Sequence, residues 1–552
     1  MKTRNVLWIM CDQLRFDYLS CAGHPRLHTP HIDSLAARGV RFTRAYVQSP
    51  ICGSSRMSFY TGRYVRSHGS SWNGIPLRVG EPTLGDHLRD LGVRTALVGK
   101  THMKADIEGM LRLGIDPRSE IGVRVAECGF EPFERDDGLH PDGPYDPDPA
   151  YDAYLRGLGY DGPNPWERWA NSAEGEAGEI LSGWLLAHAH RPARVDEAHS
   201  ETAYMTNRAM DFMRAAQADG QPWCLHLSYI KPHWPYIAPA PYHALYGPDD
   251  VVPPVRSEAE RRDAHPVFAS YMNERFSRAF SRPGVREHVI PAYMGLIKQI
   301  DDHVGRLLAF LEEQGLRDET LIVFTSDHGD YLGDHWLGEK ELFHEASVKI
   351  PLIVVDPSPE AEATRGSVCD ALVEAIDLVP TFVEAFGGAA RPHILEGRSL
   401  LPFLHGRPPA DWRGFVVSEC DYSLRQARTD HGRPIADSRM TMIFDGRWKY
   451  VLAEGFRPML FDLETDPTEF FDRGADPACE NERRRLHEAL FAWARRPHSR
   501  ITLSDEQIAR RAAAGDARTG ILIGYWDEAE VAAARQSPDP PAGDASKRAL
   551  AQ

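Results

Sequence analysis

Cys52 lies in a segment whose residue types are suited to chemistry. It is followed by two hydroxyl-bearing residues, Ser54 and Ser55, and then by Arg56. A free cysteine is commonly buried as a small hydrophobic residue. Here the flanks are polar, a helix is predicted to start immediately downstream, and Arg56 would lie one turn into it. A helix N-terminus beside a guanidinium group activates a thiol or binds an oxyanion. This segment alone leaves packing and chemistry both open.

Two further polar pairs follow apolar runs and offer metal ligands. Asp12 and Gln13 follow residues 5–11, and Asp327 and His328 follow residues 320–326. Carboxylate and amide oxygens together with one imidazole make a plausible site for a divalent metal ion. The Asp-His-Gly-Asp run at 327–330 is also typical of a turn in which Asp caps and Gly supplies a positive φ. Two acidic strand ends beside a candidate nucleophile favour the metal site.

Positive charges and imidazoles complete the set. Arg56, Lys100 and Lys340 supply the charges, and His102 and His233 supply the imidazoles. Most lysines are solvated surface residues, but Lys100 comes directly after a predicted buried strand. His233 stands between two prolines and beside a tryptophan, which indicates a rigid turn. A metal ion, a nucleophile, several cations and two imidazoles would suit displacement at a tetrahedral oxyanion ester.

The elements that must position these residues follow from the apolar patterns. Residues 5–11, 94–99, 223–230 and 320–326 are continuous apolar runs, typical of parallel strands buried on both faces. Helical patterns at 30–37, 83–91 and 292–314 alternate with them. The alternation predicts an α/β fold with a doubly wound, mostly parallel sheet. Ligands bind beyond the carboxyl ends of such strands, which is where the polar residues fall.

Three regions are predicted along the chain. Residues 1–405 would form the catalytic domain, with a Gly/Pro/Asp-rich insertion at 104–200 that covers the substrate near the active site. Residues 406–500 would form a smaller C-terminal α+β subdomain of antiparallel strands and a helix at 481–495. Residues 501–552 are interpreted as an extended tail, disordered over about its last dozen residues. Its apolar island at 521–526 would pack on the body or on another subunit of a homo-oligomer, a dimer or tetramer.

Composition excludes some classes of partner. The 552 residues include 63 Lys and Arg against 80 Asp and Glu, a net charge of -17 that disfavours nucleic acid and anionic membranes. The first apolar run is too short for a signal peptide and is broken at Asp12, and no stretch approaches a membrane span. The eight cysteines show no paired spacing, which indicates a reducing compartment. We therefore expect a cytoplasmic protein with no nucleic-acid or membrane partner.

The chain resembles the formylglycine-dependent sulfatases, the arylsulfatase family of the alkaline phosphatase superfamily. That family's signature, Cys-x-Pro-Ser-Arg followed by Thr-Gly-Arg, is matched by Cys52, Ser55, Arg56 and residues 61–63. Further motifs match in the same order at Asp12, at Gly99, Lys100 and His102, at Pro232, His233 and Pro235, at Asp327, His328 and Gly329, at Lys340, and at residues 460–469. The resemblance covers roughly residues 4–475 and implies an alkaline-phosphatase-like fold.

The chain departs from the family pattern at two places. Ser54 replaces the signature proline, which bears on how efficiently Cys52 is converted to formylglycine. Gln13 and His328 occupy metal positions often held by Asp and Asn in calcium-dependent members. This pattern, like the tail at 524–528, is similar to the phosphonate monoester hydrolase branch. That branch has neutral residues where this chain has Lys100 and His102, so the site itself resembles a sulfatase.

The resemblance also implies cofactors and metal ligands. A formylglycine-generating enzyme would oxidise Cys52 to formylglycine, which is hydrated to a diol. One divalent ion would be held by Asp12, Gln13, Cys52, Asp327 and His328. The imidazole ligand moves the preference from Ca2+ toward Mn2+.

Roles for the remaining residues follow from the same resemblance. Arg56 and Lys100 would stabilise the diol, Lys340 and His233 would hold the sulfate and assist the leaving group, and His102 would deprotonate the second hydroxyl. Trp72 and Asn73 would shape the substrate pocket.

Three functions are therefore considered. The first is hydrolysis of sulfate monoesters, small aryl sulfates in particular. The second is hydrolysis of phosphonate monoesters or phosphodiesters with the same nucleophile. The third is a non-catalytic anion-binding protein in which Cys52 stays a thiol because of Ser54.

Overall fold

A computed structural model describes residues 3–141, 149–496, 503–514, 522 and 526–536. The strands are β1 Asn5–Asp12, β2 Val40–Tyr46, β3 Arg94–Gly99, β4 Glu131–Arg135, β5 Ser172–Glu174, β6 Ile180–Ser182, β7 Trp223–Pro232, β8 Thr320–Ser326, β9 Lys349–Val355, β10 Ser367–Glu374, β11 Val416–Asp421, β12 Arg439–Phe444, β13 Trp448–Ala453 and β14 Met459–Asp462.

The α-helices lie between and after these strands. They are α1 Pro30–Arg38, α2 Cys52–Thr61, α3 Val65–His68, α4 Leu84–Arg89, α5 Ile107–Arg112, α6 Glu120–Ala126, α7 Ala150–Gly157, α8 Glu201–Asp219, α9 Glu258–Arg262, α10 Pro266–Met272, α11 Arg275–Phe280, α12 Val285–Glu313, α13 Glu345–Val348, α14 Leu378–Ala385, α15 Leu401–Leu404, α16 Gln426–Asp430, α17 Glu480–Ala494, α18 Asp505–Ala514 and α19 Glu528–Gln536.

Eight strands form the central sheet, in the order β10-β2-β9-β8-β1-β7-β3-β4. Strand β9 runs antiparallel to β2 and β8, whereas β10–β2, β8–β1, β1–β7, β7–β3 and β3–β4 pair in parallel. The predicted α/β class with a mostly parallel sheet is confirmed. The sheet brings the carboxyl ends of β1, β3, β7 and β8 to one edge.

The sheet is buried on both faces, as the continuous apolar runs predicted. Alternate residues of β1 point to opposite faces, so Val6 and Trp8 join one core cluster while Leu7 and Ile9 join the other. The first cluster includes residues of α2 and α14, and the second includes residues of α8 and α12. Helices therefore cover the sheet on both sides.

The predicted strands at 94–99 and 320–326 coincide with β3 and β8. Helix α12 starts at Val285, seven residues before the predicted start at 292, and contains Pro291. Proline usually marks a helix boundary because it lacks an N–H group, and this one instead lies within the helix.

The expectation of an irregular insertion at 104–200 is wrong in part. This range contains α5, α6 and α7, and β4 pairs with β3 as the edge strand of the central sheet. Strand β4 escaped prediction because its sequence, Glu-Pro-Phe-Glu-Arg, is polar and contains proline. Such a composition is tolerated only at a sheet edge.

The predicted antiparallel strands near the C-terminus form a four-stranded sheet, β11-β12-β13-β14, covered by α17. Residues 395–496 belong to the same compact unit as residues 1–390. The boundary predicted between 405 and 406 therefore separates two sheets within one unit, and whether it separates two folding domains stays a prediction.

The tail belongs to a second unit, of which α18 and α19 are described. In the apolar island, Trp526 is 89% exposed and Leu522 is also exposed, while residues 521 and 523–525 lie outside the described residues, as do the last sixteen of the chain. The predicted role of the tail in association stays a prediction, and so do the oligomeric state and the cytoplasmic location.

In the part of the chain that is described, no helix combines the length and apolarity needed to cross a membrane.

Candidate active site

Cys52 is the first residue of α2 and is fully buried. Ile51 is extended, and the helix ends at Gly62, whose φ of 66° suits glycine. The amide of Gly53 donates to Asn73 Oδ1 over 2.7 Å, so Asn73 satisfies an N–H of the first turn that has no partner within the helix. The predicted helix start is found, and the predicted role of Asn73 in the substrate pocket stays a prediction. Ser54 is the third residue of this helix, so serine is compatible with the conformation of the signature segment.

Four of the predicted metal ligands converge. Asp12, Cys52, Asp327 and His328 each place a ligand atom within 4.8 Å of the others, and all four are buried. Cys52 Sγ lies 3.0 Å from His328 Nε2 and 3.8 Å from Asp12 Oδ1. His328 Nδ1 lies 2.9 Å from the carbonyl oxygen of Gly329. The Nδ1 proton is held on that carbonyl, so Nε2 faces the carboxylates. Burial opposes the shift, but Asp327 and Cys52 raise the pKa of His328 to about 9, and a metal ion bound at Nε2 would replace the second proton.

Gln13 supplies the fifth predicted ligand. Its backbone amide donates to Asp327 Oδ1 over 3.0 Å, and its side-chain Oε1 accepts from Lys340 Nζ over 2.9 Å. The residue has a φ of 66°, a left-handed conformation that is uncommon for a side chain of this size. The sharp turn after β1 therefore directs both the carboxylate of Asp12 and the amide of Gln13 to the same site.

The donor set fits a divalent cation. Two carboxylates, one amide oxygen and one imidazole are ligands that Mn2+ and related ions accept. Two negative charges also lie close together beside three positively charged side chains, which hold them in place. The residues present thus fit the metal ion that the resemblance implies.

Arg56 lies behind the ligands. Its Nε donates to Asp327 Oδ2 over 2.9 Å and its Nη2 contacts Asp12 Oδ2 at 3.2 Å. Its Nη1 donates to the Lys100 carbonyl and to Ser228 Oγ, over 2.8 and 2.7 Å. Because the guanidinium is fully buried and shared among these four acceptors, its role is to hold the two carboxylates. The predicted role of Arg56 in stabilising the diol stays a prediction.

Lys100 and Lys340 both point inward. Lys100 Nζ lies 2.6 Å from Asp12 Oδ2. Lys340 Nζ contacts His233 Nε2 at 3.1 Å, and His233 Nδ1 lies 2.6 Å from the carbonyl oxygen of Trp234. Burial and the neighbouring Lys340 charge lower the pKa of His233 to about 3, so the imidazole is neutral. Neutral His233 therefore donates from Nδ1 and accepts from Lys340 at Nε2.

These charges act on the nucleophile position. Burial by itself would raise the pKa of the Cys52 thiol, but Lys340, His328 and Lys100, with a hydrogen bond from His102, hold the pKa well below its ordinary value. A position that stabilises a thiolate also stabilises another anionic oxygen or sulfur nucleophile there. The site therefore fits formylglycine, whose hydrate must lose a proton at this position.

His102 is held by a residue that the sequence did not single out. Its φ is 53°, and its backbone N–H donates to Asp137 Oδ1 over 2.9 Å. The same oxygen accepts from the N–H of Thr101 over 2.8 Å, and Arg135 binds the other carboxylate oxygen at 2.6 Å. Asp137 lies just beyond the end of β4, so its position at the carboxyl edge follows from a strand that was not predicted.

Lys231 was also missed as a site residue. It is buried, and its Nζ donates to the carbonyl oxygens of Pro235 and His233, over 3.0 and 3.4 Å. It therefore closes the loop that carries His233. A lysine at the end of an apolar strand, as at position 100, was the feature of the sequence that could have indicated Lys231.

Trp72 was predicted to shape the substrate pocket. Its ring lies 5.2 Å from the guanidinium of Arg425 in the C-terminal region.

Two protein-family models match the chain. The model of the family described as Sulfatase matches residues 4–389. A second model, described as N-sulphoglucosamine sulphohydrolase, C-terminal, matches residues 333–496. Together they span the central sheet and the small antiparallel sheet.

Similar proteins include an arylsulfatase and a phosphonate monoester hydrolase. The chain is 32% identical over 526 residues to the multifunctional alkaline phosphatase superfamily protein PehA of Trinickia caryophylli, covering 91% of this chain and 97% of that protein. It is 26% identical to an arylsulfatase of Clostridium perfringens, covering 84% and 89%. Among solved structures, the phosphonate monoester hydrolase SpPMH from Silicibacter pomeroyi superposes with a TM-score of 0.78 at 30% identity, covering 91% and 96%.

Proposed function

Because this chain belongs to the sulfatase family of the alkaline phosphatase superfamily and is a sulfuric ester hydrolase, we propose that its substrates are small aryl sulfate monoesters. The observation that carries the proposal is the inward position of Lys100 and His102. Lys100 lies 2.6 Å from Asp12, and Lys100 and His102 both act to lower the pKa of the Cys52 thiol. Both add positive charge or proton-accepting capacity around the nucleophile, as the resemblance to sulfatases requires.

The proposed activity requires a divalent ion and a formylglycine at position 52. Asp12, Asp327 and His328, with Gln13 by resemblance, would hold the ion, and the imidazole ligand favours Mn2+ over Ca2+. Formylglycine made from Cys52 by the formylglycine-generating enzyme would, once hydrated, supply a hydroxyl nucleophile, and the ion would supply the charge that makes this hydroxyl more acidic.

The chain's own residues bind and orient the ester. Lys340 carries a positive charge between Gln13 Oε1 and His233 Nε2, where it can bind a sulfate oxygen. His233 keeps that ammonium in place through its fixed tautomer. His102 has a buried Nδ1 without a hydrogen-bond partner among the described residues. By the resemblance, its imidazole would take the proton of the second hydroxyl.

A second candidate is hydrolysis of phosphonate monoesters or phosphodiesters. The Gln13 and His328 pair at the metal site favours it, as do the similarities to PehA and to the Silicibacter enzyme. Both reactions would use the same nucleophile, so the substrate preference depends on the charges around it.

Parallel kinetics on two chromogenic esters test the proposal. The protein is produced together with a formylglycine-generating enzyme, loaded with Mn2+, and assayed on 4-nitrophenyl sulfate and on 4-nitrophenyl phenylphosphonate. We expect the higher kcat/KM for the sulfate, and a higher value for the phosphonate would reject the first choice in favour of the second. The peptide containing Cys52 is weighed by mass spectrometry, and Cys52→Ala is the matched inactive control. A thiol at position 52 with no activity on either ester would instead support the anion-binding alternative.

A further inference from the structure

Asp330 ends the Asp-His-Gly-Asp run but is not one of the metal ligands. It is fully buried, and its Oδ2 accepts from Gln13 Nε2 over 2.5 Å and from Tyr236 OH over 2.7 Å. Its Oδ1 accepts from the backbone N–H of Leu332 over 2.9 Å. All three partners can donate, so the carboxylate of Asp330 accepts a hydrogen bond from each of them.

The side chain of Gln13 has two ends of nearly equal shape and opposite chemistry. Asp330 accepts from the NH2 end, and Lys340, which can only donate, binds the oxygen end at 2.9 Å. Reversing the amide would bring two oxygens together at Asp330 and two donors together at Lys340. Both contacts therefore select the same orientation.

That orientation decides whether residue 13 can bind a cation. An amide ligates metal ions through its oxygen, so the NH2 group must point away from the ion. We propose that Asp330 is a positioning residue that turns the Gln13 amide oxygen toward the metal site. Because Asp330 needs a donor at position 13, it also selects glutamine over a carboxylate there. The ligand set then has two negative charges, from Asp12 and Asp327, instead of three.

This inference rests on the proposed metal site and is tested by metal affinity, without turnover. Mn2+ binding to the full chain is measured by calorimetry for the wild type, Asp330→Ala, Gln13→Ala and the double variant. We expect Asp330→Ala to weaken Mn2+ binding by about 10- to 100-fold, the usual cost of removing a residue that orients a ligand. In the Gln13→Ala background the same substitution should cause no further loss, because Asp330 acts through Gln13.

Tyr236→Phe is the matched control. It removes another hydrogen bond to Asp330 Oδ2 and a long bond of 3.4 Å from Gln13 Nε2 to the Tyr236 hydroxyl. The 2.5 Å bond from the amide to Asp330 stays, so Mn2+ affinity should change by less than about threefold. Thermal unfolding in chelator shows whether each variant folds, and Asp330→Leu fills the same space without an acceptor if the alanine variant does not.

Two results would overturn the inference. One is unchanged Mn2+ binding by folded Asp330→Ala, and the other is a loss in the double variant equal to the product of the two single losses. Asp327→Ala, which lacks a proposed ligand, shows what the loss of the metal site looks like. If the wild type bound divalent cations no better than Asp327→Ala, the proposed metal site itself would be contradicted.

Discussion

The ammonium of Lys100 is almost fully buried against Asp12, so its charge acts inside the site and not in solvent. Replacing it by a neutral residue of similar length should lower kcat/KM on an aryl sulfate by about 100- to 1,000-fold, the usual effect of losing one group that stabilises developing negative charge. Lys104→Gln removes an exposed lysine four residues away and is the control. Equal activity of Lys100→Gln and Lys104→Gln would show that the Lys100 charge does not act on the reaction.

Arg56 makes a different prediction because it touches the ligands and not the nucleophile. Arg56→Lys keeps the charge but cannot bridge Asp12 and Asp327, since an ammonium lacks the planar fork of a guanidinium. Because Asp12 keeps its contact with Lys100, the variant loses one charged hydrogen bond of the bridge, which should reduce the free energy of unfolding by about 1.5 to 3 kcal/mol. Urea unfolding measures the loss, with exposed Arg26→Lys as control. A stability equal to that of the control would contradict the bridging role.

At the scale of elements, the strands that carry the site were predictable because they are apolar on both faces. Four residues that follow these strands were therefore predicted as site residues from the sequence alone: Asp12, Lys100, His233 and Asp327. The sequence could not indicate Asp137 in the same way, because its strand is a polar edge strand with a proline. Nor could it show that Arg56 faces the carboxylates, since this depends on how α2 packs against the strand ends.

Glu374, at the end of β10, joins the two sheets. Its Oε1 accepts from the N–H of Val417 in β11 over 3.0 Å, and its Oε2 accepts from Tyr64 OH over 2.8 Å. Burial raises the pKa of Glu374 from 4.5 to about 7, although Arg413 opposes the shift. Between these two values the folded state binds more protons than the unfolded state, so stability from this group is present below pH 4.5 and is lost as the pH rises through 7.

Glu374→Gln removes this titration. We expect the difference in unfolding free energy between wild type and variant to fall by about 3 kcal/mol between pH 4 and pH 8, at 1.36 kcal/mol for each unit of pKa shift. Urea unfolding at a series of pH values measures the two curves. The hydrogen bonds lost in the variant cost the same free energy at every pH. Comparing the slopes of the two curves against pH therefore isolates the titration of Glu374. Parallel curves would show that Glu374 does not titrate differently in the folded state.

At the scale of the whole body, the two sheets share one core. Met442 and Phe461 of the small sheet belong to the same apolar cluster as Trp8 of β1. Lys449 of β13 adds a polar tie, since its buried Nζ donates to the Phe343 carbonyl over 2.9 Å and pairs with Glu345, just before β9, at 2.9 Å. Glu469 binds the same ammonium at 2.6 Å. The central and small sheets should therefore unfold together.

Lys449→Met tests this cooperativity. It leaves the buried carboxylate of Glu469 without its cation, while half-buried Glu345 keeps Lys349, so the free energy of unfolding should fall by about 3 to 5 kcal/mol. Hydrogen exchange in urea, followed in peptides from β1 and from β13, should show both opening at the same reduced denaturant concentration. Opening of β13 alone would mean that the C-terminal subdomain predicted at 406–500 folds separately. Adding Glu345→Gln and Glu469→Gln to Lys449→Met should restore part of the lost free energy of unfolding, because no carboxylate is then left without Lys449. If the loss came only from a steric defect at position 449, these two substitutions would not restore it.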